Sequence, residues 1–177
     1  MGQRGYILGV GSNLEPEKNA GLIITKLVER FGAVLISRIY YTAPVKIESD
    51  HRFVNFGVFV PTELDPAAFK AACVAIEVEL GRDRNNPLRK ILDRPADLDV
   101  LVRLSGEEKT LNPELIIPAE YLAEPARELV AVLGLGGKLP GARGELCPIA
   151  VGTLCLGQTP AAVDRDDRAG LVVIREY

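Results

Sequence analysis

The order of the patterned segments constrains this chain more than any single residue does. Tyr6-Ile7-Leu8-Gly9-Val10 is a short apolar run ending in the turn residues Gly11-Ser12-Asn13, which reads as a strand. From Pro16 the period changes. Ala20, Ile23, Ile24, Leu27, Val28 and Phe31 recur at three- and four-residue steps, giving one apolar face of a helix closed by Gly32. Val34 to Thr42 is rich in β-branched and aromatic residues and reads as a second strand. A polar stretch from Lys46 to Arg52 leads into a third strand, Phe53 to Val60. Asp65-Pro66 offers an N-cap acceptor and then proline at the first helical position. Phe69, Cys73, Ile76 and Leu80 then step along a second helix that ends at Gly81. Beyond a long loop, Leu98 to Leu104 is a fourth strand, with Ser105 to Glu108 as a hairpin tip and Lys109 to Leu111 as its return.

Strand, helix, strand, strand, helix, strand is the order of the ferredoxin-like split βαβ arrangement. The expected fold class is therefore α+β: a mainly antiparallel sheet with the helices on one face and a C-terminal extension. A third helix is expected from Ala126 to Leu133, then a tail rich in Gly and Pro, with Leu171 to Ile174 as an edge strand. A length of 177 residues suits a single domain over 1–177, with the core at 5–135 and the extension at 136–177.

Bulk properties exclude several functions. A net charge of −3 argues against general nucleic-acid binding, which depends on a positive field, and 6% aromatic content argues against a sheet that reads bases. No run approaches the roughly 20 apolar residues of a membrane span. The start opens at once into a strand-like run, so no signal peptide is expected. Cys73, Cys147 and Cys155 read as reduced thiols, and a single histidine, His51, argues against a Cys/His zinc site. The expected setting is the cytoplasm. The oligomeric state is not legible.

The chemistry concentrates in one place. In a strand, Asp97 and Asp99 project to the same side while Leu98 enters the core, with the two Cα atoms about 6.5–7 Å apart. Carboxylates so close repel unless a cation sits between them. Hard oxygen ligands select Mg²⁺, which takes one or two carboxylates plus water and substrate phosphates. Just upstream, residues 82–96 lack periodicity and carry Arg82, Arg84, Arg89, Lys90 and Arg94. Guanidinium forks match phosphate oxygens. An acidic pair beside a cationic loop suits phosphoryl-type transfer, which is mostly positioning and charge neutralisation.

Several motifs, in this order and spacing, resemble the 6-hydroxymethyl-7,8-dihydropterin pyrophosphokinases of folate biosynthesis. They are Gly11-Ser12-Asn13-Leu14, Tyr41-Thr42-Ala43-Pro44-Val45, Phe53-Val54-Asn55, Ile76-Glu77, Gly81-Arg82-Asp83-Arg84 and Arg94-Pro95-Ala96-Asp97-Leu98-Asp99. The resemblance implies transfer of pyrophosphate from ATP to a dihydropterin hydroxymethyl group, with release of AMP. It implies that Asp97 and Asp99 hold two Mg²⁺ ions, with Asp97 nearest the attacking hydroxyl. Arg82 and Arg94 would neutralise the transferring phosphates, Arg84 and Arg127 would anchor ATP, and Glu77 would lie beside the nucleoside. Phe53 would stack on the pterin, Asn55 would pair with its edge, and Thr42 and Val45 would complete that pocket. Leu129 is expected as the second face.

The chain also departs from that pattern. Leu92 and Asp93 stand where the family has a small residue and proline, and Ile91 stands for an aromatic. Pro118-Ala119-Glu120-Tyr121 lacks the family's histidine, and Glu114 replaces a cation. Two alternatives therefore stay open: a related enzyme acting on a different pterin, and a pterin-binding relative with a decayed ATP site.

Overall fold

Alternation along the first strand sets the two faces of the sheet. β1 (Arg4–Ser12) turns Tyr6, Leu8 and Val10 to one side and Ile7, Gly9 and Gly11 to the other. The computed structural model describes residues 3–45, 47, 49–168 and 170–177. Met1 and Gly2, Lys46 and Glu48 of the expected polar stretch, and Ala169 lie outside the described residues.

α1 (Pro16–Phe31) and α2 (Pro66–Glu79) cover the Tyr6 face. α1 contributes Ala20, Ile23, Ile24, Leu27 and Val28 to this core, and α2 contributes Phe69, Cys73 and Ile76. Tyr6 stacks on Phe69 with ring centroids 4.0 Å apart. Burial of an aromatic of that size makes Phe69→Ala cost about 3–5 kcal/mol. Asp65 caps α2 as expected, its carboxylate accepting from Ala67 N at 2.9 Å and Ala68 N at 3.0 Å.

The sheet contains β2 (Val34–Ile36), β3 (Tyr40–Thr42), β4 (Phe53–Pro61) and β5 (Asp97–Ser105). β4 lies between β1 and β2, and β1 lies between β4 and β5, with every neighbour antiparallel. This is the expected α+β, ferredoxin-like order. The two helices of the repeat share one face, while α3 (Ala123–Val132) covers the other with Leu129 and Val130 against Ile7, Leu35, Phe59 and Leu104. No helix among the described residues is long and apolar enough to cross a membrane.

Three expected elements differ. The second strand is broken between β2 and β3, because Arg38 N–H donates to the Glu128 carboxylate at 2.8 Å rather than to a neighbouring strand. The return strand from Lys109 to Leu111 does not form. Leu111 N–H bonds Leu135 O at 2.7 Å, and the Glu108 carboxylate closes the tip by accepting from Ser105 N and Gly106 N. The third helix begins at Ala123 rather than Ala126, since Pro125 in a first turn has no intrahelical donor to lose.

The extension adds to the sheet. β9 (Ala161–Asp166) pairs with β2, and β10 (Gly170–Glu176) forms the edge beyond it, where the edge strand was expected. β6 (Glu145–Leu146) pairs with β3, and the hairpin of β7 (Ile149–Val151) and β8 (Leu154–Leu156) lies against α1.

Candidate active site

Glycine alternation hollows the sheet on its α3 side. Side chains at positions 9 and 11 of β1 would point there, and both positions are glycine. A Cβ on Gly9 would lie 2.4 Å from Leu122 Cδ1, and one on Gly11 would lie 2.7 Å from Asn55 Oδ1. The missing side chains leave the floor of a cavity of about 190 Å³, with Asp97 and Asp99 on one wall and Thr42, Phe53 and Asn55 on the other.

Register explains this arrangement. Gly11 is opposite Asp97 and Gly9 is opposite Asp99 in the β1–β5 ladder. Leu98, between the two carboxylates, faces Val10 and is fully buried. A register shift between Ile7 and Leu8 leaves Leu101 of β5 without an opposite residue, a β-bulge just beyond the acidic pair.

Arginines now occupy Asp97. Its Oδ1 accepts from Arg82 Nη1 at 2.5 Å and its Oδ2 from Arg94 Nη1 at 2.7 Å. Arg82 Nη1 also reaches Ala96 O and Glu77 Oε1, while its buried Nε has no partner among the described residues. Burial works against the charge on Arg82, but Asp97 and then Glu77 outweigh it and raise the guanidinium pKa. Asp99 is exposed at the cavity mouth, yet protein crowds its other sides. That crowding first, and the like charge of Asp97 second, push its carboxyl above the usual aspartate value.

Glu77 organises the arginines from beneath. It is fully buried, and its oxygens accept from Leu98 N at 2.8 Å, Arg82 Nη1 at 2.8 Å and Arg84 Nε at 2.7 Å. Asn13 fixes the end of the cationic loop. Asn13 N and Leu14 N both donate to Arg94 O, Asn13 Oδ1 accepts from Arg94 N at 2.8 Å, and its Nδ2 donates to Asp93 at 2.6 Å. Asp93 also meets His51 Nδ1 at 2.7 Å, joining this loop to the one before β4.

At the other end, Asn55 Nδ2 donates to Thr42 Oγ1 at 2.7 Å, and Val45 and Phe53 line the cavity with them. A second hollow of about 540 Å³ adjoins it along β5, floored by Val100 and Leu101 and rimmed by Leu115 to Ala119. The two share Val45, Asp99 and Tyr121.

The model of one family, 7,8-dihydro-6-hydroxymethylpterin-pyrophosphokinase, matches residues 7–135. The chain belongs to this family. Among its relatives, a 2-amino-4-hydroxy-6-hydroxymethyldihydropteridine pyrophosphokinase of Porphyromonas gingivalis is 37% identical over 113 residues, covering 63% of this chain and 76% of the relative. The protein of the same name from Pseudomonas aeruginosa is 31% identical over 142 residues, covering 78% and 84%. A folate synthesis bifunctional protein of Arabidopsis thaliana is 30% identical over 133 residues, covering 74% of this chain and 27% of that longer protein.

Within this member of the pyrophosphokinase family, Asp97, Asp99, Arg94, Thr42, Val45, Phe53 and Asn55 line one cavity, and Arg82 reaches it through Asp97. Glu77 and Arg84 lie beneath. Arg127 is not brought there; on α3 it is held by Glu114 and Glu124. Leu129, the expected second face, is fully buried over Gly57, and Leu122 and Tyr121 occupy the cavity wall instead. Sequence reasoning gave no site role to Gly9, Gly11 or Asn13, and named Lys90 only as one of the loop cations. The alternating glycines carried a signal, because glycine inside an apolar strand marks close approach of other groups.

Proposed function

We propose that this chain transfers the pyrophosphate of ATP to the hydroxymethyl group of 6-hydroxymethyl-7,8-dihydropterin, giving AMP, as a step in folate biosynthesis. One observation carries the reading: the paired carboxylates and the Thr42–Asn55 pair face each other across one cavity floored by glycine. The acceptor oxygen bonds to the β-phosphorus, the bond from that phosphorus to the α–β bridging oxygen breaks, and AMP departs with that oxygen.

The residues fit Mg²⁺. Two carboxylates share the site, and among the described residues no group of three or more His, Cys, Asp and Glu is placed to hold a metal by itself. Such a set matches a hard ion that takes its remaining ligands from water and phosphate. Two Mg²⁺ ions held by Asp97 and Asp99 would supply charge neutralisation for the polyphosphate. Arg82 and Arg94 now place cationic charge on Asp97. On nucleotide binding both forks would turn to phosphate oxygens, and the partnerless Arg82 Nε would gain an acceptor.

Asn55 offers an amide donor and acceptor to the pterin edge, while Phe53 and the Tyr121–Leu122 wall enclose its faces. Asp97, at the floor beside Gly11, is placed to take the hydroxyl proton. The nucleoside would lie in the hollow along β5, which begins at Asp99. Glu77, fully buried, would act on the nucleotide only through Arg82 and Arg84, and Arg127 would anchor ATP only by leaving Glu114 and Glu124.

Incubation with ATP, Mg²⁺ and the hydroxymethyl-dihydropterin, followed by nucleotide separation, should yield AMP in step with pyrophosphorylated pterin. Formation of ADP alone, or unchanged ATP, would overturn the proposal.

A further inference from the structure

Glu128 is a fully buried carboxylate that none of the proposed chemistry uses. It lies on α3 and accepts from Arg38 N at 2.8 Å, Arg38 Nη1 at 3.0 Å and the Tyr40 hydroxyl. Burial first, and then the bond to Glu128, push the Tyr40 phenol far above its ordinary pKa, so the proton stays on Tyr40 and its hydroxyl donates. A buried charge with all its donors in place is rigid, and loss of one donor is costly.

The cluster touches the acceptor end of the cavity through one short strand. Tyr40 is directly opposite Asn55 in the β3–β4 ladder, and Thr42, two residues on, holds the Asn55 amide. On its other edge β3 pairs with β6, placing Tyr40 opposite Leu146. The extension is wired to the same point. Arg38 donates to Pro140 O at 2.9 Å and Gln158 O at 3.3 Å, Cys147 N donates to Ile39 O at 2.8 Å, and a Cβ on Gly144 would lie 3.1 Å from the Tyr40 ring. All of these extension residues lie beyond the residues 7–135 that the family model matches.

We propose that Glu128, Tyr40 and Arg38 are positioning residues for the acceptor. They hold β3 against β4 so that Thr42 and Asn55 present a fixed edge to the pterin, and residues 140–158 complete that support. This rests on the proposed pyrophosphoryl transfer for its kinetic readout.

Tyr40→Phe removes one hydroxyl and no volume. In the full chain, the KM for the hydroxymethyl-dihydropterin should rise about tenfold, as Thr42 and Asn55 lose their fixed placement. The kcat and the KM for ATP should stay within about twofold of the parent, a change too small to register as a lost contact. Hydrogen exchange should quicken at the amides of residues 40–42 and 53–55 and stay unchanged at 97–99. Glu128→Gln should shift the same parameters further; if it does not fold, Tyr40→Phe decides. An unchanged pterin KM with unchanged exchange overturns the proposal, as does an equal rise in both KM values. A parent protein that forms no AMP sinks the functional reading instead, and the exchange pattern then decides the positioning role by itself.

Discussion

Asp97 faces Asn55 across a single glycine. Gly11 of β1 is the cross-strand partner of both, so the carboxylate and the amide look at each other over an empty position. A methyl group there would meet Asn55 Oδ1 at 2.7 Å. Gly11→Ala should therefore displace the Asn55 amide from Thr42 and fill the cavity floor. The expected cost is about 1–3 kcal/mol of stability, typical of overpacking. Pterin binding should weaken more than ATP binding. Urea unfolding with separate titrations of the two substrates checks this, and equal losses for both would count against it.

Glu77 holds two arginines and a backbone N–H with one buried carboxylate. Glu77→Gln would turn an amide NH₂ or a weaker acceptor toward a guanidinium. Breaking a buried pair by removing one charge costs about 3–5 kcal/mol. Arg82 would then keep only Asp97 and the Ala96 carbonyl, so kcat should fall while the pterin KM holds. Thermal unfolding and steady-state kinetics on the same preparation would separate the two effects.

β1 and β4 were legible as apolar runs, and α1, α2 and β5 because their apolar residues recur with the period of the element they form. The acidic pair was legible for the same reason, since the strand period puts Asp97 and Asp99 on one side whatever surrounds them. The break between β2 and β3 was not legible, because a carboxylate 90 positions along the chain, Glu128, takes the Arg38 N–H. Leu129 was assigned to the cavity and Leu122 was not, since which apolar residue in or just before α3 meets Gly9 depends on packing and not on period. In the extension only the edge strand was legible, because β6, β7 and β8 are two or three residues long and β9 pairs with β2, far back in the chain.

Asp99 sits exposed at the mouth with a like charge beside it, and crowding and Asp97 together disfavour its ionised form. Removal of that charge should relieve the site. Asp99→Asn is expected to raise the Tm of the Mg²⁺-free protein slightly, a small gain because solvent at the mouth screens the repulsion. The same variant should lose AMP formation, and its Tm should no longer rise when Mg²⁺ and an ATP analogue are added together. A Tm below the parent's in the absence of metal would show that Asp99 has a structural partner instead.

Asn13 closes the cationic loop over the cavity. Its side chain accepts from Arg94 N and donates to Asp93, and its backbone N–H meets Arg94 O, so three bonds from one residue hold the segment that carries Arg94 and Lys90. Asn13→Ala removes the side-chain bonds to Asp93, Arg94 N and, at 3.4 Å, Ser49, and leaves the part-buried Arg94 N–H without its acceptor, at a cost of about 1–3 kcal/mol. Much of that loss should be local, because the side-chain bonds join Asn13 only to Ser49, Asp93 and Arg94, all in the cationic loop and the one before β4. Limited proteolysis should cut residues 82–96 faster in the variant. ATP should protect the parent better than the variant, since Arg94 must be held in place to meet phosphate. Equal cleavage rates in both proteins would show that the loop is held elsewhere.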